Sequence, residues 1–328
     1  MIACLYGRDF APFVEPVVRD LRAAAAAAGG EIQPLTIEAA LHDPARCADV
    51  HRLYVLPFDP PAPPAGWIRQ LFPRAEVATS FAVQDLCWDK VATQERLLDR
   101  GVPVPETLVS TEPDHVHEFV RQHGFAILKE RYSCAGQGHI VVWFEDEQLV
   151  GDCGSHQYTI ELVSGGERRL RDDHLTYPAP FYVQRLVADI GRDVTPGQVL
   201  RAYIVDNQIV FWSERYRDQY TRPSDWIVNV SSGAKYRFLF DLSTEITKIA
   251  LRSAEVIGMR IGVVDIIRTI SGGPYVLEVD TDGYHMIIDR QFKHIPEYRE
   301  FFNLDRYIAE ALLVEPQVWR PSARNDAD

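Results

Sequence analysis

The chain lacks most of what would place it outside the cell or in a membrane. It has 5 cysteines in 328 residues, Cys4, Cys47, Cys87, Cys134 and Cys153, odd in number, widely spread and without a matching pair of C-x-x-C motifs. A short disulfide scaffold is excluded, and the thiols read as free in a reducing cytoplasm. No stretch reaches the roughly 18 consecutive apolar residues of a membrane span. The opening Met1 to Arg8 has neither a basic n-region nor a long apolar h-region, so no signal peptide is expected. Positive charge is also short: 34 Lys and Arg against 47 Asp and Glu give a net charge of −13. With no basic block, this argues against nucleic acid and anionic membranes as partners.

What remains is an ordinary globular composition, 46% hydrophobic and 25% charged, long enough for two or three domains with a cleft between them. Strand-like runs at Ile2 to Gly7, Ile32 to Ile37, Arg52 to Leu56 and Glu76 to Ser80 alternate with helices at Pro16 to Ala28 and Gly66 to Phe72. That order predicts a small parallel α/β unit over 1–84. The proline-rich stretch Pro57 to Pro64 reads as a stiff connection. Helices are expected at Asp85 to Arg100 and Glu112 to His123, followed by a hairpin of Phe125 to Lys129 with Ile140 to Phe144, within a central unit over 85–180. The remainder, 181–314, is richer in strands: Phe181 to Val187, Leu200 to Val205, Ile209 to Glu214, and a hairpin of Gly262 to Ile267 with Tyr275 to Val279. A turn at Asp206 and Asn207 joins two of them, and an amphipathic helix runs from Leu242 to Ile257. The end, 315–328, reads as a flexible tail.

Chemistry concentrates in the last hairpin. Symmetric pairing about Ser271-Gly272-Gly273-Pro274 sets Asp265 opposite Glu278, and period two puts Asp280 on the face of Glu278. Three carboxylates in an apolar hairpin repel unless a cation lies between them, and hard oxygen donors favour Mg²⁺. Solvated edge carboxylates bonded to loop amides fit the same residues. A second place is Lys129, at the end of an apolar strand that feeds the small-residue loop Ser133 to Gly138. Lysine and loop amides together can hold phosphate; a plain hairpin turn also explains the glycines. Lys90, early in a helix, suits a phosphate or a solvated surface. Arg201 alternates with Tyr203 in an apolar strand and calls for an anionic partner.

In chain order these pieces resemble the ATP-grasp superfamily of carboxylate–amine ligases, nearest to the branch of glutathione synthetase and the glutamate ligases of ribosomal protein S6. The resemblance covers roughly Asp85 to Gly283. Its elements are D-K-x-x-T from Asp89 to Thr93, G-V-P-V-P-E-T from Gly101, I-L-K-E from Ile127, the small loop, Y-V-Q-R-L-V from Tyr182, L-R-A-Y-I-V from Leu200, N-V-S-S-G-A from Asn229, and G-V-V-D-I-I with L-E-V-D. It implies an ATP-grasp fold, α/β with an antiparallel C-terminal part, behind a parallel N-terminal domain.

The roles it implies are specific. Lys90, Lys129 and the loop with Ser133, Gly136 and Gly138 would bind the ATP phosphates. Gln184, Arg185 and Leu186 would form the adenine hinge, with Asp193 near the ribose. Arg201, Lys129 and Asn229 would serve catalysis, and Asp265, Glu278 and Asp280 would hold Mg²⁺ or Mn²⁺. Arg215, Ser232, Gly233, Tyr284 and His285 are the candidate substrate contacts. Asp280 departs from the family's E-x-N ending, and Tyr284-His285 replaces a small, proline-containing turn; His285 also reads as a packed histidine.

The implied activity is ATP-dependent ligation of a small-molecule carboxylate to an amine, on amino acids or a small peptide, in the cytoplasm, with a homodimer left open. A small-molecule kinase of the same fold needs more cations than Arg215, Arg217, Arg222, Lys235 and Arg237 supply. A non-catalytic nucleotide binder has no need of Lys90, Lys129, Arg201, Asp265 and Glu278 together.

Overall fold

The computed structural model describes residues 1–8, 11–56, 65–133, 138–154, 156–189, 195–196, 198–228, 233–240, 242–269, 272–281, 296, 298 and 303–314. The N-terminal sheet is parallel, in the order β2-β1-β3-β4, from β1 (Ile2–Tyr6), β2 (Ile32–Thr36), β3 (Arg52–Val55) and β4 (Glu76–Val77). All five positions of β1 are buried. Ile2, Cys4 and Tyr6 pack on the side of α1 (Ala11–Ala27), while Ala3 and Leu5 pack on the side of α2 (Ile37–His42) and α3 (Ala65–Leu71). A strand covered on both faces has no polar alternation, which is why it reads as one apolar run. Helix α1 starts five residues before its expected first residue and carries Pro16 inside it. The fourth strand is shorter than Glu76 to Ser80, since only its first two residues pair.

The central sheet has eight strands: β5 (Thr107–Ser110), β6 (Phe125–Lys129), β7 (Ile140–Glu145), β8 (Gln148–Asp152), β9 (Gln157–Val163), β10 (Arg169–Arg171), β11 (His174–Pro178) and β12 (Phe181–Arg185). Their order is β10-β11-β9-β8-β7-β6-β12-β5. Helix α6 (Pro113–His123) covers one face, where Val116 and Val120 meet Ala126, Leu128, Ile140, Val142, Phe181 and Val183. Ile127, Lys129, Val141, Tyr182 and Gln184 point to the other face. Strands β8 to β11 are absent from the sequence expectations. The β7–β8 turn uses Asp146 and Glu147 at φ 46° and 67°, a left-handed pair with no glycine or asparagine to announce it. Strand β12 corrects the boundary expected at 180: it lies between β5 and β6, pairing Tyr182 with both Val109 and Lys129.

The C-terminal sheet is antiparallel, in the order β17-β16-β15-β18-β19, after a short ribbon of β13 (Ala188–Asp189) and β14 (Thr195–Pro196). Its strands are β15 (Gln198–Val205), β16 (Gln208–Tyr216), β17 (Lys235–Leu239), β18 (Ile261–Arg268) and β19 (Tyr275–Asp280). Helix α7 (Thr244–Ile257), capped by Ser243 and stopped by Gly258 at φ 81°, covers Leu200, Ala202, Ile204, Val264 and Ile266. The helix expected from Asp85 to Arg100 is two helices, α4 (Phe81–Trp88) and α5 (Lys90–Asp99). Asp89 separates them because its extended backbone lets the carboxylate accept the Val91 and Ala92 amides, each at 3.2 Å, an N-cap that competes with helix continuation. Both helices pack into the C-terminal core through Val83, Leu86 and Leu97, which corrects the boundary expected at 84. The last helix, α8 (Leu304–Leu313), returns to the N-terminal sheet, where Arg52 donates to the carbonyls of Leu312 and Val314.

Symmetric pairing of the last hairpin holds for Asp265 with Glu278, Val264 with Val279 and Val263 with Asp280. Nearer the turn it slips by one, to Ile266 with Val276 and Ile267 with Tyr275. A bulge at Leu277 absorbs the extra residue. Gln94 of α5 donates to the carbonyls of Val276 and Leu277, at 3.4 and 3.1 Å, and so fixes the bulge.

The central and C-terminal units are tied by Asp152, whose side chain is buried at the end of β8. Its carboxylate accepts Arg222 Nε and Nη2 at 2.9 and 2.6 Å and the amides of Ser224 and Gly154 at 3.0 and 2.9 Å. Burial alone would raise its pKa, but these donors bring it below the usual carboxylate value. Beside this pair, the Trp226 ring meets Phe125 edge-on at 5.1 Å. Asp152→Asn is expected to destabilise the fold by about 1–2 kcal/mol, since the buried carboxylate loses its charge-assisted bonds while Arg222, whose side chain is 35% exposed, regains water. Urea denaturation measures it; a loss below about 0.5 kcal/mol would assign the pair the weight of an exposed one.

Candidate active site

The face of the central sheet opposite α6 and the face of the C-terminal sheet opposite α7 carry the charged residues, and their ions meet. Lys129, at the end of β6, is 7% exposed and donates to Gln184 Oε1 at 2.5 Å. Lys90, the first residue of α5, donates to the Ser133 carbonyl and lies 3.6 Å from Glu278 Oε1 on β19. Asp89 holds that helix end in place: besides capping α5, it accepts a two-pronged bond from Arg131 at 2.8 and 2.6 Å and one from Tyr132 at 3.1 Å. The D-K pair therefore divides its work, Asp89 fixing the loop after Lys129 and Lys90 facing the cleft.

Burial pushes the Lys129 ammonium down to about 8; Glu278 opposes that shift and Lys90 adds to it. Lys129 thus feels charges from both units. Tyr182, paired with Lys129 on the next strand, has its phenol pushed up by burial, then by Glu278 and Asp89. On the far flank His139 precedes β7, and burial with the Lys129 and Lys90 charges holds its imidazole well below its ordinary value. The sequence motifs included Tyr182, in the hinge segment, and passed over His139. The signal was geometric: residues beside Lys129 in the antiparallel register share its face.

Arg201 on β15 faces Asp265 on β18 directly in register. It donates through Nε and Nη2 to the two Asp265 oxygens at 2.8 and 3.0 Å, and Arg215 Nη2 also donates to Asp265 Oδ2. All three side chains are buried, at 7%, 3% and 7% exposure for Arg201, Asp265 and Arg215. Burial would raise the Asp265 carboxyl, yet the two guanidiniums bring it below its usual value; Arg201 is driven well above its own, its ion pair outweighing burial. Asp265, expected to share a cation with Glu278 and Asp280, has its charge balanced by two arginines in this structure. Glu278 stands beside it, more open, and Asp280 follows on the same face. Among the described residues no three His, Cys, Asp or Glu side chains group as a ready-made metal site.

The other expected residues fall as follows. Gly138 has φ 74°, a left-handed conformation that favours glycine, and a Cβ there would displace only the far end of the Glu130 side chain, 2.6 Å away. Gln184 is buried and joins Lys129 to Thr107, whose hydroxyl accepts its amide at 3.3 Å. Arg185 places its guanidinium 3.6 Å from Glu106 and over the Tyr275 ring, while the Leu186 amide donates to the Phe125 carbonyl at 3.3 Å. Gly233 is exposed at φ 91°. Gly136, Asp193, Asn229, Ser232, Tyr284 and His285 lie outside the described residues.

Residues 181–294 match the RimK-like ATP-grasp domain family. The structure superposes on a RimK domain ATP-grasp protein from Sphaerobacter thermophilus with TM-score 0.59 and 18% identity, over 95% of this chain and 99% of that one. The chain has the ATP-grasp fold. The macrocyclase MdnC of Microcystis aeruginosa, solved bound with its precursor peptide MdnA, shares this fold at TM-score 0.57 and 16% identity, covering 96% and 100% of the two chains. In sequence, a probable alpha-L-glutamate ligase of Legionella pneumophila strain Corby is 24% identical over 193 residues, which is 59% of this chain and 55% of that relative. The chain thus matches little more than half the length of that curated relative.

In the ATP-grasp cleft Lys129 is a desolvated cation, and its cost shows in the pH dependence of stability. With the ammonium at about 8 in the fold and 10.5 as its ordinary value, the unfolded chain binds more protons across that interval. Stability therefore rises with pH across it, by about 3 kcal/mol, and the penalty is fully present below it. Lys129→Met should remove this rise, so urea denaturation of both proteins through that interval should give free energies whose difference narrows by that amount. A difference flat with pH would mean that Lys129 titrates as an exposed lysine.

Proposed function

We propose that this chain is an ATP-dependent ligase that joins a carboxylate to an amine through an acylphosphate, with release of ADP and phosphate. The observation that carries this reading is the meeting of Lys90 and Lys129 with Glu278 across the cleft, beside the buried Arg201–Asp265–Arg215 group, within an ATP-grasp fold. Lys129 and Lys90 hold the phosphates, and Gln184 orients the Lys129 ammonium. Arg201, fixed by both Asp265 oxygens, is a rigid guanidinium for charge that grows on the transferred phosphoryl group, so it is preorganised by the fold. The substrate carboxylate attacks that group, and the amine then displaces phosphate from the acyl carbon; what the protein adds is position and charge.

A divalent cation such as Mg²⁺ suits the hard oxygen donors of Glu278 and Asp280, where it would neutralise phosphate charge. Asp265 has both oxygens engaged by arginines and supports that pair from behind. The substrates we assign are an amino acid or a small peptide, in keeping with the glutamate ligase and peptide macrocyclase among the relatives. That Cys4, Cys47, Cys87 and Cys153 form no disulfide supports a cytoplasmic setting. A kinase for polyanionic substrates is disfavoured because the cations it would need are engaged: Arg215 with Asp265, Arg217 with Asp225, Arg222 with Asp152, Lys235 with Asp218 and Arg237 with Glu214.

Phosphate release from ATP, screened over pairs of amino acids and short peptides, tests the reaction class. Release that depends on both a carboxylate and an amine is expected; release that needs only an alcohol acceptor would indicate a kinase. Glu278→Gln should lower turnover by at least about 100-fold while leaving the thermal midpoint near wild type, since a full charge leaves the metal-facing surface of a half-exposed side chain. Normal turnover in that variant would make the carboxylate structural.

A further inference from the structure

Lys129 has two neighbours on the cleft face of the central sheet, and His139 has no part in the reaction as described above. The β6–β7 ladder pairs Phe125 with Trp143, Ile127 with Val141 and Leu128 with Ile140. One step further along, His139 stands beside Lys129 with its side chain on the same face, as Tyr182 does on the other flank. The row His139–Lys129–Tyr182 therefore runs from the residue that leads into β7 across β6 to β12, on the side away from α6. Gly138 immediately before it closes the small-residue loop.

His139 Nε2 is buried and, among the described residues, has no hydrogen-bond partner. A buried ring nitrogen without a partner among the described residues is unfavourable, and an incoming hydrogen-bonding group would satisfy it. The charges acting on the ring have one sign: Lys129 and Lys90 both repel its protonated form. A neutral imidazole still carries one ring N–H. It adds a donor to a cationic site without adding a third positive charge to the fold.

We propose that His139 is a phosphate-binding residue, its Nε2–H donating to a non-bridging oxygen of a polyphosphate held by Lys129 and Lys90. The ligand class is a nucleoside triphosphate, so the inference rests on the ligase reading of the cleft. The histidine acts as a neutral third arm beside two ammoniums.

Calorimetric titration with ATP and, separately, with inorganic tripolyphosphate tests this on wild type, His139→Leu and His139→Gln. The glutamine amide reaches the place of Nε2 and should keep both affinities within about threefold, whereas leucine should weaken both by about tenfold, one hydrogen bond to an anion. The thermal midpoint without ligand checks folding, and His139→Asn, whose amide stops short of that place, substitutes for leucine if leucine does not fold. Wild-type affinity in His139→Leu overturns the proposal. If wild type binds tripolyphosphate but not ATP, and leucine weakens that binding, His139 keeps its role and the nucleotide reading falls. Binding of neither probe by wild type defeats both.

Discussion

The structure is organised around a buried surplus of positive charge in a chain that is acidic as a whole. Lys90, Lys129, Arg201 and Arg215 meet Asp265, Glu278 and Asp280 in one cleft, four cations for three carboxylates, while the chain carries a net −13. Two of the cations belong to a guanidinium pair clamped on one carboxylate, and that part is self-contained. The lysine part is not: Lys129 is desolvated, its nearest partner is a neutral amide, and its ammonium is destabilised by burial. Holding a cation in that state costs free energy, which the polyphosphate proposed for this cleft would offset on binding. The surrounding architecture serves this end, since two sheets each turn one face to a covering helix and the other to the cleft.

Much of this was legible in the sequence because it depends on local pattern. Apolar runs bounded by Gly and Pro gave the parallel N-terminal sheet, and alternation in VVDII and VLEVD put Asp265 opposite Glu278. What escaped the sequence was set by contacts between distant segments. The break at Asp89 depends on a carboxylate that prefers two backbone amides and Arg131 to a continued helix. The bulge at Leu277 depends on Gln94, which arrives from another helix. Strands β8 to β11 escaped because the Asp146–Glu147 turn that opens them carries neither glycine nor asparagine. The two arginines that balance Asp265 were in view one by one, yet only the β15–β18 register brings Arg201 to it, and β16 to bring Arg215.

The division into units is likewise a matter of which faces need covering. Strand β12 follows the central unit in sequence and pairs within it because its backbone donors complete the β5 and β6 edges, while α4 and α5 precede that unit and cover the C-terminal sheet instead. The chain thus crosses between units several times. Asp152–Arg222 and Phe125–Trp226 add side-chain ties at the same junction. Crossings of this kind tie the two sheets together, with Lys129 and Glu278 within electrostatic reach.

The use of lysine and arginine follows the same division of labour. Only five of the 34 basic side chains are lysines, Lys90, Lys129, Lys235, Lys248 and Lys293, and two of those five face one another's charge in the cleft. Arginine appears where a planar fork must hold a carboxylate, as at Asp265, Asp89 and Asp152. A guanidinium in the place of Lys129 would keep its charge at any accessible pH, whatever its burial. A lysine is a point charge whose pKa yields to burial, so it is held weakly by the fold and strongly by a polyanion. The physical difference between the two cations separates the part of the cleft that is built from the part that waits for a ligand.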